Sequence, residues 1–380
     1  MSPTEIDIER KAQAIDEAVP FGANAIRLSP RLWIVTALLL LLLWLGIPLL
    51  WAGLEPLDLN EDYRVPAALS EDYWLYERYA DSVMQDETVI PLLGDSVIWG
   101  QYVKPDETLS HALNALSTDQ RFTNMGVNGI HPVALSGLLK HYGDAFSDTK
   151  VILNYNPLWM SSLRRDLNVP KATRFNHPQL VPQWFQDIPC YRETTPNRMS
   201  IALGHHVSLF KWNRHLRIAY FGNKDLPLWV MEHPYTNPWS AMTLTLPQPE
   251  DASPSAPIAW NVKSDRPQSF SWVSPQESLQ WQFFQEAVQT LRARGNEVFV
   301  LFGPFNQHLL TEENKPIYQA KQAEMLAWLD TSGCAYLAPQ ALPSELYADA
   351  SHPLSQGYRL LAQELYASKT FQAFITEDKK

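Results

Sequence analysis

Thr88-Val-Ile-Pro-Leu-Leu-Gly-Asp-Ser96 is the stretch on which the fold of this 380-residue chain turns. Its apolar run reads as a strand buried on both faces, the pattern of a parallel sheet. Pro91 argues against that reading, because proline has no N–H to give to a ladder. The run stops at Gly94-Asp95-Ser96, a small, polar turn. In open α/β sheets, ligands bind beyond the carboxyl ends of the strands, so such a turn is where chemistry is expected.

The same grammar repeats outward from this point. Arg121–Met125, Lys150–Leu153, Asn296–Phe302 and Cys334–Leu337 read as further strands. Between them, helices are expected over 70–86 with Ser70 as N-cap, 106–119, Pro132–Tyr142, and Ser274–Arg294 with Pro275 at its first position. Two more are expected over 312–332, ending before Gly333, and Leu354–Phe374. Strand–helix alternation of this kind predicts an α/β fold, a three-layer α/β/α sandwich with a mostly parallel sheet. Residues 163–270 break the rhythm. They are rich in Pro, Trp, His and Asn, with an irregular loop over 246–268, and read as a large insertion, a lid or substrate-binding excursion.

Nearer the N-terminus the chain carries no charge from Leu32 to Leu54. At 1.5 Å per residue that stretch covers about 34 Å as a helix, enough to cross a hydrocarbon core. Trp33, Trp44 and Trp51 suit an interfacial belt, and Gly46 and Pro48 are tolerated in a spanning helix. Arg27 and Arg31 precede the span, whereas Glu55, Asp58, Glu61 and Asp62 follow it. The positive-inside rule then puts the N-terminus in the cytoplasm and the rest of the chain outside, in the periplasm or at the cell surface. A cleaved signal peptide is the alternative, but the run starts late, is long for one, and has no A-x-A site after it. The expected organisation is a cytoplasmic tail (1–30), a transmembrane helix (31–54), and a juxtamembrane linker and helix (55–87) whose acidic run, Glu55 to Asp62, reads as solvated. The α/β domain follows in two parts (88–162 and 271–380) around the insertion (163–270).

Composition excludes some functions. With 30 basic and 41 acidic residues the formal net charge is −11, which disfavours nucleic acid as a partner. The 14 tryptophans lean weakly towards a carbohydrate-facing cleft. Cys190 and Cys334 lack CxxC spacing, so metal and thioredoxin-like readings fail. Outside the cytoplasm they could form one disulfide, the alternative being two buried thiols. The pair His205-His206 has no further ligands nearby in sequence, and no metal or cofactor is expected.

Four polar clusters sit where a site should assemble: Gly94-Asp95-Ser96, Asn124 to Gly129, Asn154-Tyr155-Asn156-Pro157, and Asp349-Ala350-Ser351-His352. A hydroxyl on a rigid turn, a histidine to take its proton and a carboxylate to orient that histidine make a serine nucleophile. Ser96, His352 and Asp349 supply those groups. Asp95 is expected to hold the turn by hydrogen bonding. Trp99 and Tyr102 are expected in the core, and His131 in a structural role. His308, after Phe302-Gly-Pro-Phe-Asn306, is a weaker candidate for the cleft.

In order and context these blocks resemble the SGNH (GDSL) hydrolases. The resemblance implies Ser96 as nucleophile in a G-D-S block and a Ser96–His352–Asp349 triad with D-x-x-H before a C-terminal helix. It also implies an oxyanion hole from the backbone N–H of Ser96, a glycine N–H, matched by Gly129 with Gly126 as second candidate, and the side chain of Asn156. The family's third block is commonly G-x-N-D; here both flanking residues differ, leaving Asn154 as an alternative to Asn156. Asn156-Pro-Leu-Trp159 and the later FGPFN are similar to membrane-anchored SGNH-like proteins of cell-envelope polymer acylation. These include the alginate O-acetylation proteins and the D-alanine-transfer protein of teichoic acids. The implied activity is that of a serine esterase or O-acyltransferase acting on acylated envelope polysaccharide. A non-catalytic glycan-binding or docking partner of a membrane-bound O-acyltransferase is the alternative.

Overall fold

In the computed structural model, which describes residues 28–118, 121–249, 253, 256–263 and 266–376, the chain divides at Gly53–Leu54 into two units. The first holds all but the last residue of α1 (Pro30–Leu54), a 25-residue helix with an 18-residue stretch of mean hydropathy 2.5, long and apolar enough to span a membrane. The expected cytoplasmic tail, Arg27 included, lies outside the described residues up to residue 27.

The second unit is built on a five-stranded, all-parallel sheet with strand order β2-β1-β3-β4-β5. Its strands are β1 (Val89–Gly94), β2 (Arg121–Gly126), β3 (Lys150–Tyr155), β4 (Glu297–Phe302) and β5 (Ala335–Leu337). All arise from the apolar runs that announce them, within two residues at either end. β1 is central and buried throughout, despite Pro91. The reason is in its ladders. Pairing with β2 runs the whole way from Val89↔Arg121 to Gly94↔Gly126, whereas pairing with β3 is confined to Leu92↔Ile152 and Leu93↔Leu153. Proline's missing donor thus falls where the β3 side carries no ladder.

Alternate strand residues face opposite layers. Leu153, Val298, Val300 and Phe302 pack with Tyr76 and Tyr79 of α2 (Tyr73–Val83), Leu135 and Leu138 of α5 (Pro132–Tyr142), and Phe284 and Val288 of α10 (Leu279–Ala293). On the other face, Leu92, Ile152, Phe299 and Leu301 meet Leu109 and Leu113 of α4 (Leu109–Asn114), Leu361 and Leu365 of α12 (Ser355–Ala367), and Phe371 of α13 (Lys369–Thr376). α3 (Ser96–Trp99) is one turn following β1, and α11 (Asn314–Ser332) precedes β5.

Several helix starts differ from expectation, each for a capping reason. α2 is capped by Asp72, whose carboxylate accepts from Leu75 N, and not by Ser70. α10 begins after Ser278, which accepts from Trp281 N, and not at Pro275. The expected helix 106–119 contracts to α4, because Thr108 caps it and Pro105–Glu107 form a separate 3₁₀ turn. The C-terminal helix breaks at Ser368 into α12 and α13.

Between β3 and α10 the described residues form four α-helices: α6 (Thr195–His206), α7 (Ser208–Phe221), α8 (Leu226–Glu232) and α9 (Pro238–Ala241). Parts of the expected loop 246–268 lie outside the described residues. Cys190 and Cys334 are both buried free thiols, so the disulfide alternative does not hold.

Nor is Glu55 part of a solvated linker. It is fully buried, accepts from Arg78 Nη1 at 2.6 Å, and lies 3.0 Å from His215 Nε2 on α7. Tyr220 donates to the same carboxylate, and His215 Nδ1 lies 2.7 Å from Asp72. Burial opposes a charge on His215, but Asp72 and Glu55 outweigh it and push the imidazole up to about 9. A buried charge survives only when it is paired in this way.

Candidate active site

β1 delivers Asp95 and Ser96 to the carboxyl end of the sheet. Asp95 is the N-cap of α3, its Oδ1 accepting from Val97 N at 2.9 Å. Ser96 therefore stands at the first helical position, where a backbone amide has no intrahelical partner and is free to meet an anion. The turn is held from behind. Arg64, fully buried, donates through Nη1 to the carbonyls of Gly100 at 2.9 Å and Val103 at 3.0 Å, and stacks over Trp99. Tyr358 on α12 donates to Val97 O at 2.5 Å. Trp99 is core, as expected, with its indole N–H on Val65 O.

The loop before α12 brings the other two groups. His352 Nε2 lies 2.8 Å from Ser96 Oγ. Its Nδ1 lies 2.8 Å from both oxygens of Asp349. Because Nδ1 faces only carboxylate oxygens, it carries the ring proton, and Nε2 is left to accept from the Ser96 hydroxyl. The amides of Ser351 and His352 both donate to Asp349 Oδ1 at 3.0 Å, which fixes the carboxylate against the ring. Burial would raise the Asp349 pKa, but His352 and these donors hold it well below the usual carboxylate range. Burial would lower that of His352, but the charge and hydrogen bond of Asp349, with a contribution from Asp95, raise it.

The DASH loop is itself clamped by the FGPFN segment. Asn306, fully buried, donates through Nδ2 to Asp349 O at 3.0 Å and through its amide to Ala350 O at 2.8 Å. A role for FGPFN in placing the acid is the finding that sequence left unstated.

The third block turns on a 3₁₀ helix, Pro157–Met160. Residues three apart eclipse on such a turn, so Asn156 and Trp159 face the same way. Both donate to Asp95 Oδ2, Asn156 Nδ2 at 2.8 Å and Trp159 Nε1 at 2.9 Å. Asn156 Nδ2 also reaches Ser351 Oγ at 3.2 Å. Asn154 points elsewhere, donating to Leu301 O and Gly303 O. Asp95 thus holds its own turn and, in addition, gathers the third block onto the first. Trp159 and Ser351 were not expected here; the Asn-x-x-Trp spacing was the available signal for Trp159.

The second block supplies two glycines with different jobs. Gly126 faces α3 so closely that a Cβ would lie 2.4 Å from Trp99 N. Gly129 has φ +73°, and its Cβ would meet the Asn176 side chain. Asn128 and Gly129 carbonyls accept from His177 and Asn176. His131 caps α5 and contacts Asn176 O, a structural role. His308 Nε2 lies 2.9 Å from Leu342 O. His205 is bonded to Gln179 O and stacks on His141. Tyr102 departs from expectation: it is partly exposed, its ring edge-on to His352 at 5.4 Å between centroids, with Lys263 Nζ 4.8 Å from its ring centroid. Among the described residues no group of His, Cys, Asp and Glu is arranged to hold a metal.

Chemically, the arrangement can move a proton from Ser96 Oγ to His352 Nε2 while Asp349 balances the imidazolium. Compared with known proteins, the sequence matches no family model and no curated protein.

Proposed function

We propose that this chain is a membrane-anchored, SGNH-type serine esterase or O-acyltransferase that works through an acyl-enzyme on Ser96. The observation that carries the reading is the Ser96–His352–Asp349 hydrogen-bond relay, with 2.8 Å at each step. In the first half-reaction Ser96 Oγ attacks the acyl carbonyl carbon as its proton passes to His352 Nε2. The tetrahedral oxyanion is met by the amides of Ser96 and Gly129 and by Asn156. Collapse breaks the ester C–O bond, and His352 returns the proton to the departing alcohol. In the second half-reaction water or a sugar hydroxyl gives its proton to His352 and attacks the acyl carbon; the bond from that carbon to Ser96 Oγ breaks, and His352 returns the proton to Oγ.

Segment 163–270 is then an insertion into an SGNH-type domain, serving as lid or substrate-binding element. The span at 31–54 leaves the N-terminus in the cytoplasm and the catalytic domain in the periplasm or at the cell surface. Acylated cell-envelope polysaccharide is the proposed substrate or acceptor, with a membrane-bound acyltransferase as partner if acyl groups arrive through the membrane. Incubating the full-length protein with a fluorophosphonate tests the core of this. Covalent labelling at Ser96, lost in Ser96→Ala and in His352→Ala, is expected. Absence of labelling under conditions that label a control serine hydrolase overturns it.

One observation favours a second reading, a non-catalytic glycan-binding or docking protein. Both N–H bonds of Asn156 are occupied, by Asp95 and Ser351, where an oxyanion donor should be free. The same labelling experiment separates the two.

A further inference from the structure

A cavity of about 540 Å³ is lined by Trp159, Arg164, Arg165, Arg174, Phe175 and Phe270. It adjoins the site just described through three links. Trp159 donates to Asp95, next to Ser96. Asn176, on the cavity wall, packs against Gly129. The charge of Asp349 acts on Arg165, whose pKa burial lowers and Asp349 opposes. A larger cavity, of about 980 Å³, lies at the opposite end of the strands, by Val89, Ile90 and Lys150, remote from the carboxyl ends.

The three arginines are unusual in their pairing. Arg165 donates to Ser161 Oγ at 2.9 Å and lies over Phe270. Among the described residues the side chains of Arg164 and Arg174 make no hydrogen bond and none of the three arginines has an ion-pair partner. In a chain of net charge −11, carboxylates are the abundant partners, yet among the described residues none lines this cleft. Guanidinium groups without carboxylates suit the planar oxygens of a carboxylate or phosphate. Trp159, Phe175 and Phe270 supply the apolar walls on which the ring of a sugar rests.

We infer that this cleft is a substrate subsite for an acidic saccharide, holding its carboxylate or phosphate on Arg164, Arg165 and Arg174 while the acylated hydroxyl lies at Ser96. The assignment of the acyl position rests on the reading of Ser96 as nucleophile; the binding of the acid group does not.

Calorimetry on the full-length protein in detergent tests the two separately. The probes are a galacturonic acid oligomer, the same oligomer fully methyl-esterified, and glucose 6-phosphate. Binding of at least one acidic probe, weakened at least tenfold in Arg165→Gln/Arg174→Gln and by raised salt, is expected, with the neutral ester form binding at least tenfold more weakly. Which acidic probe binds tells carboxylate from phosphate. No binding of either, equal binding of the methyl ester, or unchanged binding in the double variant overturns the inference. Turnover of the neutral ester p-nitrophenyl acetate is measured alongside. Its absence in the unaltered protein counts against the nucleophile reading while the binding result stands.

Discussion

Asn156 and Asp95 are joined by a 2.8 Å hydrogen bond from Nδ2 to Oδ2, so the residue proposed to stabilise an oxyanion is tethered to the neighbour of the nucleophile. Its second N–H is on Ser351. For Asn156 to meet a developing negative charge, one of these partners must be exchanged. Ser351 is the weaker, at 3.2 Å and uncharged. Ser351→Ala is therefore expected to leave kcat unchanged or raise it a few-fold, by releasing that donor. Asn156→Ala is expected to lower kcat by roughly 10²–10³, the cost of one oxyanion donor. Steady-state rates on an activated acetate ester check both; a large loss in Ser351→Ala would mean the hydroxyl positions Asn156 rather than competes for it.

The His352 pKa is raised by Asp349 against the opposing effect of burial. A base must be neutral to accept the Ser96 proton, so kcat/KM is expected to fall on the acid side with an apparent pKa above the usual imidazole value of about 6.5. Asp349→Asn removes the charge that raises it and the acceptor that fixes the tautomer. The acid limb should shift to lower pH and kcat should drop by roughly 10³–10⁴. A pH–rate profile of both proteins decides this, and an acid limb that stays in place would mean another group titrates.

How much of this was legible depended on how each feature is encoded. The strands were, because β1, β3 and β4 are buried on both faces and so must be written as apolar runs. Ser96, Asp349 and His352 were, because each stands in a short motif at a strand end. The helices between β3 and α10 were not. α6 buries only His205, and α7 buries His215 beside Leu216, Ile218 and Phe221, so no wide apolar stripe marks them. Prolines at their first turns, Pro196, Pro227 and Pro238, also read as breakers when they serve as starts. Glu55 was misread for a related reason: its partners Arg78 and His215 come from distant sequence, and an acidic residue after an apolar span looks solvated until they are seen. Contacts among polar side chains leave no periodicity behind.

That buried network gives a pH dependence of stability. The folded-state pKa of His215, about 9, lies above the unfolded value near 6.5. The sign follows: its contribution is fully present below about pH 6.5 and is lost as pH rises through about 9. The size is on the order of 3 kcal/mol, shared with Glu55 and Asp72. Urea unfolding of the full-length protein is expected to show a midpoint that falls between pH 7 and 10. In His215→Gln the starting midpoint should be lower and that fall absent. A midpoint as pH-dependent in the variant as in the parent would assign the effect to other groups.

Gly126 and Gly129 lie three residues apart, and substituting each by alanine separates a packing role from a catalytic one. At Gly126 the new Cβ would sit 2.4 Å from Trp99 N and 2.9 Å from Ile98 C. Both are backbone of α3, which β1, Arg64 and Tyr358 hold in place, so nothing can yield cheaply. Gly126→Ala is expected to cost roughly 2–4 kcal/mol of stability, in the range of strained overpacking, and activity would fall with it. At Gly129 the obstacle is only the Asn176 side chain, at 2.5 Å, which is exposed and able to swing away. The remaining cost is the left-handed backbone, φ +73°, about 1–2 kcal/mol for alanine. If the Gly129 amide meets the oxyanion, relaxing that φ turns the donor aside. Gly129→Ala should then unfold within about 2 kcal/mol of the parent yet lose at least tenfold in kcat with little change in KM. Equal losses of stability and of kcat in the two variants would count against the Gly129 amide as a donor, and would leave the second block a purely structural support for α3.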